Sequence, residues 1–175
     1  MGAWRQARAI ILLPGVAGVL VPILILLAGS GPRVGWGRGA LAVLAPALGA
    51  ALIAAGVALW AWTVILFARV GRGTLAPWDP TRRLVAEGPY RHVRNPMISG
   101  VLAILCGEAL LLGSAGIAVW AAVFWALNTA YFALSEEPGL ERRFGEEYLA
   151  YRRDVPRWIP RRRPWTPPTR GTSKP

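Results

Sequence analysis

The sequence predicts an all-α fold: an integral membrane helical bundle of about four transmembrane helices, with a C-terminal cytoplasmic amphipathic helix. Three observations carry that expectation. Residues 9–32, 39–68, 97–112 and 117–134 form four apolar runs whose only charged residue is Glu108. The chain is 54% hydrophobic with mean hydropathy +0.40, and its apolar residues are concentrated in those runs. The 20 Lys and Arg residues, against 9 Asp and Glu, all lie outside them. A net charge of +11 arranged in this way describes the flanks of membrane spans. Nucleic acid is not an expected partner, because no base-reading motif accompanies the charge.

The first run follows Trp4, Arg5 and Arg8. It is long enough to cross, since a bilayer core needs about 20 apolar residues. Pro14 and Pro22 are kink positions of a kind membrane helices tolerate. A rival reading is a cleaved signal peptide with Ala28-Gly29-Ser30 near the cut. The run is longer than the ~7–15 apolar residues of a signal core. The second run holds 30 uncharged residues. At ~1.5 Å per residue it exceeds the ~30 Å hydrocarbon core, so its helix tilts or begins after Pro46. Gly49, Ala50, Ala54, Ala55 and Gly56 give it a small-residue surface for close helix packing. Trp60 and Trp62 approach the interface.

Gly113-Ser114-Ala115-Gly116 joins the third and fourth runs and fits only a tight helical hairpin. The third run is short for a full span. Cys106 lies within it and reads as a buried small hydrophobe. As the single cysteine it excludes an intrachain disulfide and a multi-cysteine metal site, and no metal is expected. Glu108 lies near the far end of the same run. An acidic residue at membrane depth is a functional candidate; the structural alternative is a side chain that snorkels or caps the hairpin.

Between the second and third runs, a connector carries Gly71-Arg72-Gly73-Thr74, then Pro77-Trp78-Asp79-Pro80, then Arg82-Arg83-Leu84-Val85. It ends in Glu87-Gly88-Pro89-Tyr90-Arg91-His92-Val93-Arg94-Asn95-Pro96, the densest cluster of polar and turn-forming residues in the chain. Gly88-Pro89 is a turn signal. Asn95-Pro96 is a helix start, with Asn as N-cap and Pro in the first helical position. A polar loop with Tyr90, Arg91, His92 and Arg94 is thereby held at the positive end of a membrane helix. That arrangement suits a small polar molecule at a membrane face.

After the fourth run, Ser135-Glu136-Glu137-Pro138 marks the exit. In residues 139–154, Leu140, Phe144, Tyr148, Tyr151 and Val155 recur at helical spacing and define one amphipathic helix that Pro156 ends. The tail, 156–175, has six prolines and many arginines. It reads as extended, without a core, disordered towards its end and in touch with anionic lipid. With four spans, 18 Lys and Arg fall on the side shared by both termini and the connector. Only Arg33 and Arg38 fall on the other. The positive-inside rule then puts both termini in the cytoplasm. The same topology brings the Tyr90–Asn95 loop and the Glu136-Glu137 pair together at the cytoplasmic membrane face.

The stretch from Gly88 to Pro96 resembles the GxYxxxRHP or RNP motif of the isoprenylcysteine carboxyl methyltransferase and phospholipid methyltransferase superfamily. Glu136-Glu137, Phe144-Gly145-Glu146-Glu147-Tyr148, Tyr151 and Val155-Pro156 resemble its C-terminal signature. The resemblance spans roughly residues 74–160 and implies an integral membrane enzyme that uses S-adenosyl-L-methionine on a lipophilic acceptor. By position it implies a cofactor site of Leu84, Val85, Tyr90, Asn95, Pro96, Ile98 and Glu136, with Arg94 and Glu137 as neighbours and Gly71 and Gly73 as a further cofactor element. It divides the chain into two N-terminal transmembrane helices (1–68), a methyltransferase core (69–160) and a basic Pro-rich tail (161–175).

Two departures matter. The more usual His of the motif is Asn95, which cannot titrate. The carboxylate-binding Arg of the prenylcysteine enzymes, four residues before Glu136, is Phe132. Phe132 is the candidate acceptor contact, and it disfavours a prenylcysteine carboxylate. Alternatives of other classes are a small membrane transporter subunit built on Glu108 and an inactive scaffold of the same fold.

Overall fold

The computed structural model describes residues 15–29, 31, 34–37, 39–70 and 84–167. Trp4, Arg5, Arg8, Arg33, Arg38, Gly71, Gly73 and residues 168–175 lie outside the described residues, as does the possible signal-peptide core before residue 15. The described residues are helical and contain no strand. The helices are α1 (Val16–Leu27), α2 (Ala40–Val70), α3 (Pro96–Leu112), α4 (Ala115–Tyr131), α5 (Glu137–Phe144) and α6 (Glu146–Asp154). A 3₁₀ turn, Gly88–Arg91, precedes α3.

Two helical stretches are long and apolar enough to cross a membrane, Ala40–Leu66 and Ala115–Phe144. Only 17% of the most apolar window in each is buried within the chain. The core helix of a water-soluble protein would be mostly covered. Here Leu41, Val43, Leu44, Leu48, Val119 and Leu127 lie open along α2 and α4. Val16–Leu27 and Pro96–Leu112 are shorter apolar helices.

The expected small-residue surface is what joins α2 to α3. A Cβ built on Gly49 would lie 2.7 Å from the Gly107 carbonyl oxygen, and one on Gly56 would lie 2.6 Å from that of Gly100. Gly49 faces Gly107 and Gly56 faces Gly100, so the helices run antiparallel with their backbones in near contact. Small residues permit such an approach where lipid supplies no hydrophobic drive between helices. α2 begins at Ala40 and carries Pro46 inside it, so the expected start beyond Pro46 does not occur.

The α3–α4 hairpin is tighter than the four residues expected. Gly113 adopts a left-handed conformation (φ 59°) that ends α3, and the Ser114 side chain accepts a hydrogen bond from the Ile117 amide to start α4. Between the two helices, Val101, Leu105, Ile117 and Ala121 form a buried core flanked by Ile25, Leu26, Trp60, Trp120 and Phe124. α1 locks on through a backbone defect. Its first turn is π-helical, so the Val21 amide reaches back to Val16 and leaves the Ala17 carbonyl free. The next amide in that register would be residue 22, a proline without one. Trp120 Nε1 donates to Ala17 O instead, at 2.9 Å.

Other expectations need correction. Cys106 is exposed on the outer surface of α3, because Leu105 and Gly107 take the inward positions on either side of it. The helix of the fourth apolar run does not end with that run at Ser135–Pro138. α4 continues through a π-helical turn, Phe132–Glu136, directly into α5 as one rod. Pro138 follows directly on the π turn, in the first turn of α5. The single amphipathic helix of residues 139–154 is two helices. Gly145 (φ 51°, ψ −129°) breaks it, in a conformation that favours glycine.

The tail departs most from expectation. Residues 155–167 form a strap packed back on the protein. Trp165 is only 3% exposed and joins Tyr148, Tyr151 and Val155 in a second core, with Leu84, Ala86, Leu140 and Phe144 against it. A boundary at residue 161 therefore cuts through a packed unit.

Candidate functional site

The strap and the 88–95 loop hold each other through their backbones. The Arg94 amide donates to Pro156 O, the Arg161 amide to His92 O and the Trp165 amide to Arg91 O, each at 2.9 Å. Side chains double two of these links. Arg91 Nε donates to Trp165 O at 2.6 Å, and His92 Nδ1 lies 2.8 Å from Arg161 O. A carbonyl only accepts, so Nδ1 is the protonated nitrogen of His92. Tyr151 Oη donates to Tyr90 O at 2.6 Å. Buried backbone groups of an irregular loop need partners, and the strap and α6 supply them.

On this platform the two sequence-predicted clusters meet. Arg94 Nη1 donates to Glu137 Oε1 at 2.8 Å, across 43 residues of sequence. Glu137 is 4% exposed. Its Oε1 also accepts from Arg157 Nε at 2.8 Å, Arg157 Nη2 lies 2.8 Å from the same oxygen, and Arg152 Nε stands 3.5 Å from Oε2. The neighbouring Glu136 is half-buried at the end of the π turn. Burial first, then the charges of Tyr151 and Glu136, push the Tyr90 hydroxyl well above the ordinary tyrosine range. Tyr90 and Glu136 are therefore within electrostatic reach of each other. Burial raises Tyr148 as well, and Glu137 adds to the rise, while a hydrogen bond from Arg94 offsets part of it.

Asn95 precedes α3, as expected of an N-cap, but its side chain makes no capping bond. Its Nδ2 is buried without a hydrogen-bond partner among the described residues, as are Arg94 Nε and Trp158 Nε1. Unpartnered buried donors are uncommon, and each costs ~1–3 kcal/mol when left unmet. All three are donors, close in sequence to groups that bond Glu137. A ligand rich in acceptor oxygens and ring nitrogens fits that set, and the Glu136 carboxylate adds acceptors for hydroxyl or ammonium groups.

The other predicted residues fall around this centre. Pro96 is fully buried at the start of α3 and Ile98 is half-buried within the same first turn. Val85 is buried, while Leu84 packs on the Tyr148–Trp165 core. Phe132 is buried with its ring edge-on to Trp158 (centroids 6.3 Å apart) and to Tyr131 (5.8 Å). Trp158 also meets Trp125 at 6.5 Å. Leu134 and Ile159 are 81% and 79% exposed. Glu108 does not join the site; it lies in the far half of α3 with Oε2 buried and without a partner among the described residues.

Sequence reasoning missed Arg152, Arg157, Trp158 and Trp165. A signal was present for the last two. Segments that stay disordered are poor in aromatics, and this tail carries two tryptophans seven residues apart. The described residues contain no cluster of metal-ligating side chains.

A family model described as phospholipid methyltransferase matches residues 44–147, well over half of the chain. The match runs from α2 into α6 and takes in the 88–96 loop and both glutamates. Comparison with curated proteins and with solved structures gave no match.

Proposed function

The chain belongs to the phospholipid methyltransferase family, and from that premise we propose that it is an integral membrane methyltransferase that uses S-adenosyl-L-methionine on a lipophilic acceptor. The observation that carries this reading is the junction of the 88–96 loop with the glutamate pair through Arg94 and Glu137, with unpartnered donors on Arg94 itself and on Asn95 and Trp158, the chain neighbours of Arg94 and Arg157. The bound cofactor would supply an activated methyl group on a sulfonium. Tyr90, Arg94, Asn95, Pro96, Ile98 and Glu136 would hold it, with Glu137, Leu84 and Val85 behind them. Arg94 Nε and Asn95 Nδ2 suit its carboxylate, aided by the amides of the first turn of α3. Glu136 suits its ribose hydroxyls or its ammonium. What the protein adds to methyl transfer is position and the exclusion of water; no acid-base residue is required of it.

The acceptor would be a neutral or amine group on an apolar body, such as an amine-bearing phospholipid, entering sideways from the bilayer. Phe132, Trp158 and Trp125 form an aromatic group, and an unpaired carboxylate would cost free energy to desolvate against it. In this reading all four apolar helices cross the membrane, and both termini and the site are cytoplasmic. The 18 to 2 split of Lys and Arg supports that orientation.

The test is thermal melting of the detergent-solubilised protein with S-adenosylmethionine or its demethylated product. A ligand at 100 times its Kd stabilises the native state by ~2.7 kcal/mol. Glu136→Ala should lose most of the shift and Glu108→Gln should keep it. Parental binding by Glu136→Ala would refute the site. Labelled cofactor incubated with lipid extracts then identifies the acceptor.

A further inference from the structure

Glu136 and Glu137 are chemically alike, yet their surroundings differ. The Glu137 side chain is 6% exposed and stands among Arg94, Arg157 and Arg152. A carboxylate offers about four lone-pair sites. Oε1 already accepts two hydrogen bonds at 2.8 Å, from Arg94 and Arg157, and has Arg157 Nη2 at the same distance. These arginines come from separate segments: Arg94 from the loop, Arg157 from the strap, and Arg152 from α6. Glu137 itself belongs to the α4–α5 rod. One oxygen atom therefore joins rod, loop and strap. Arg157 is the strap's first charged contact, and beyond it the strap lies along Arg91 and His92. The family match ends at residue 147, before the strap begins.

We infer that Glu137 is a positioning residue, which fastens the strap over the 88–95 loop through Arg157, and that Glu136 alone of the pair meets the cofactor. Resting on the cofactor reading above for the ligand, this gives two adjacent carboxylates two separable duties. Losing Glu137 leaves Arg94 and Arg157, both partly buried, side by side without their counter-charge. The strap then opens locally while the bilayer helices stay folded. The loop loses its cover, and the cofactor binds an arrangement that is now only a fraction of the population.

Two readouts separate these duties: trypsin cleavage after Arg161 and Arg162, followed by mass spectrometry, and equilibrium binding of S-adenosylhomocysteine. Both use the full chain in detergent, with helical circular dichroism as the folding control. Glu137→Gln should be cleaved about ten-fold faster and bind about ten-fold more weakly, a change of ~1.4 kcal/mol. Its turnover at saturating cofactor should stay near that of the parent, so KM moves and kcat does not. Arg157→Gln should behave alike, and Arg157→Lys should recover part of the loss. The double variant should be no worse than either single, because both remove one link. Glu136→Gln should lose binding at the parental cleavage rate.

Loss of binding by Glu137→Gln at the parental cleavage rate would make Glu137 a direct ligand and overturn the inference. So would parental behaviour in both readouts. If Glu137→Gln does not fold, Arg157→Gln, at a partly exposed residue, decides by the same criteria. Parental binding by Glu136→Gln would instead overturn the cofactor reading, while the cleavage rates still decide whether Glu137 fastens the strap.

Discussion

Gly56→Ala adds one methyl group where α2 has no room for it. The new Cβ would lie 2.6 Å from Gly100 O, 2.8 Å from Ile104 Cγ1 and 3.0 Å from the Ile104 amide nitrogen. Two of those atoms are backbone and cannot rotate away. Ordinary contact begins at 3.4 Å, so α2 must retreat from α3 by about 0.8 Å. A gap of ~0.5–1 Å forfeits a quarter to a half of the dispersion attraction across it. Overpacking of this kind costs ~1–3 kcal/mol, set against a gain of ~0.5–1 kcal/mol from replacing glycine within a helix. The net loss of ~1–2 kcal/mol should lower Tm by about 2–8 °C, by thermal melting in detergent. Gly139→Ala in α5, where a Cβ meets nothing within 4 Å, is the control and should be neutral or stabilising. Gly49 opposes Gly107 on the same seam, so one retreat relieves both sites. Gly49→Ala with Gly56→Ala should cost less than the sum of the two. Parental melting of Gly56→Ala, or strict additivity of the pair, would refute a rigid shared seam.

Alkaline pH should destabilise the strap core. Tyr151 and Tyr90 are raised above the ordinary value of 10.0, chiefly by burial, so the unfolded chain ionises first. Their contribution is complete below pH ~10 and is lost as pH rises from there; Tyr151→Phe should flatten the alkaline limb of Tm against pH, and an unchanged limb would count against it. Phe132→Arg should raise activity on a farnesylcysteine carboxylate relative to amine-headed lipids, if residue 132 faces the acceptor. A parent that methylates only the farnesylcysteine would overturn the acceptor assignment. Reporter fusions at Pro175 and within residues 31–39 should place the C-terminus in the cytoplasm and the loop outside, and an external Pro175 would overturn the topology.

The sequence disclosed what depends on composition and on local geometry. Hydropathy marks the apolar helices, because every backbone polar group in lipid must be satisfied within its own segment. Gly49 and Gly56 signal close packing because only a missing Cβ allows backbones to touch. Tyr90, Arg94 and the glutamates could be grouped because the four-span topology expected from the sequence puts them at one membrane face. Three things were not legible. The strap looked structureless because its prolines and arginines hid two tryptophans with a core waiting for them. The N-cap at Asn95 is right in position and wrong in bonding, since side-chain pairing depends on neighbours distant in the chain. The difference between Glu136 and Glu137 lies in arginines 43 residues before and 15 to 20 residues after Glu137, which no local pattern relates to either glutamate.

The π-helical turn at Phe132–Glu136 has a consequence for how such a pair is told apart. One residue of an α-helix is about 100° of rotation about its axis. A π turn absorbs one residue more than an α turn over the same rise. Were Phe132–Glu136 wound as ordinary α-helix, everything after it would advance by one place. Glu136 would then stand where Glu137 now stands, against the arginines. Two identical functional groups are thus distinguished by the pitch of the chain that bears them. A change of winding in five residues would put Glu136 in the place of Glu137 without altering a single side chain.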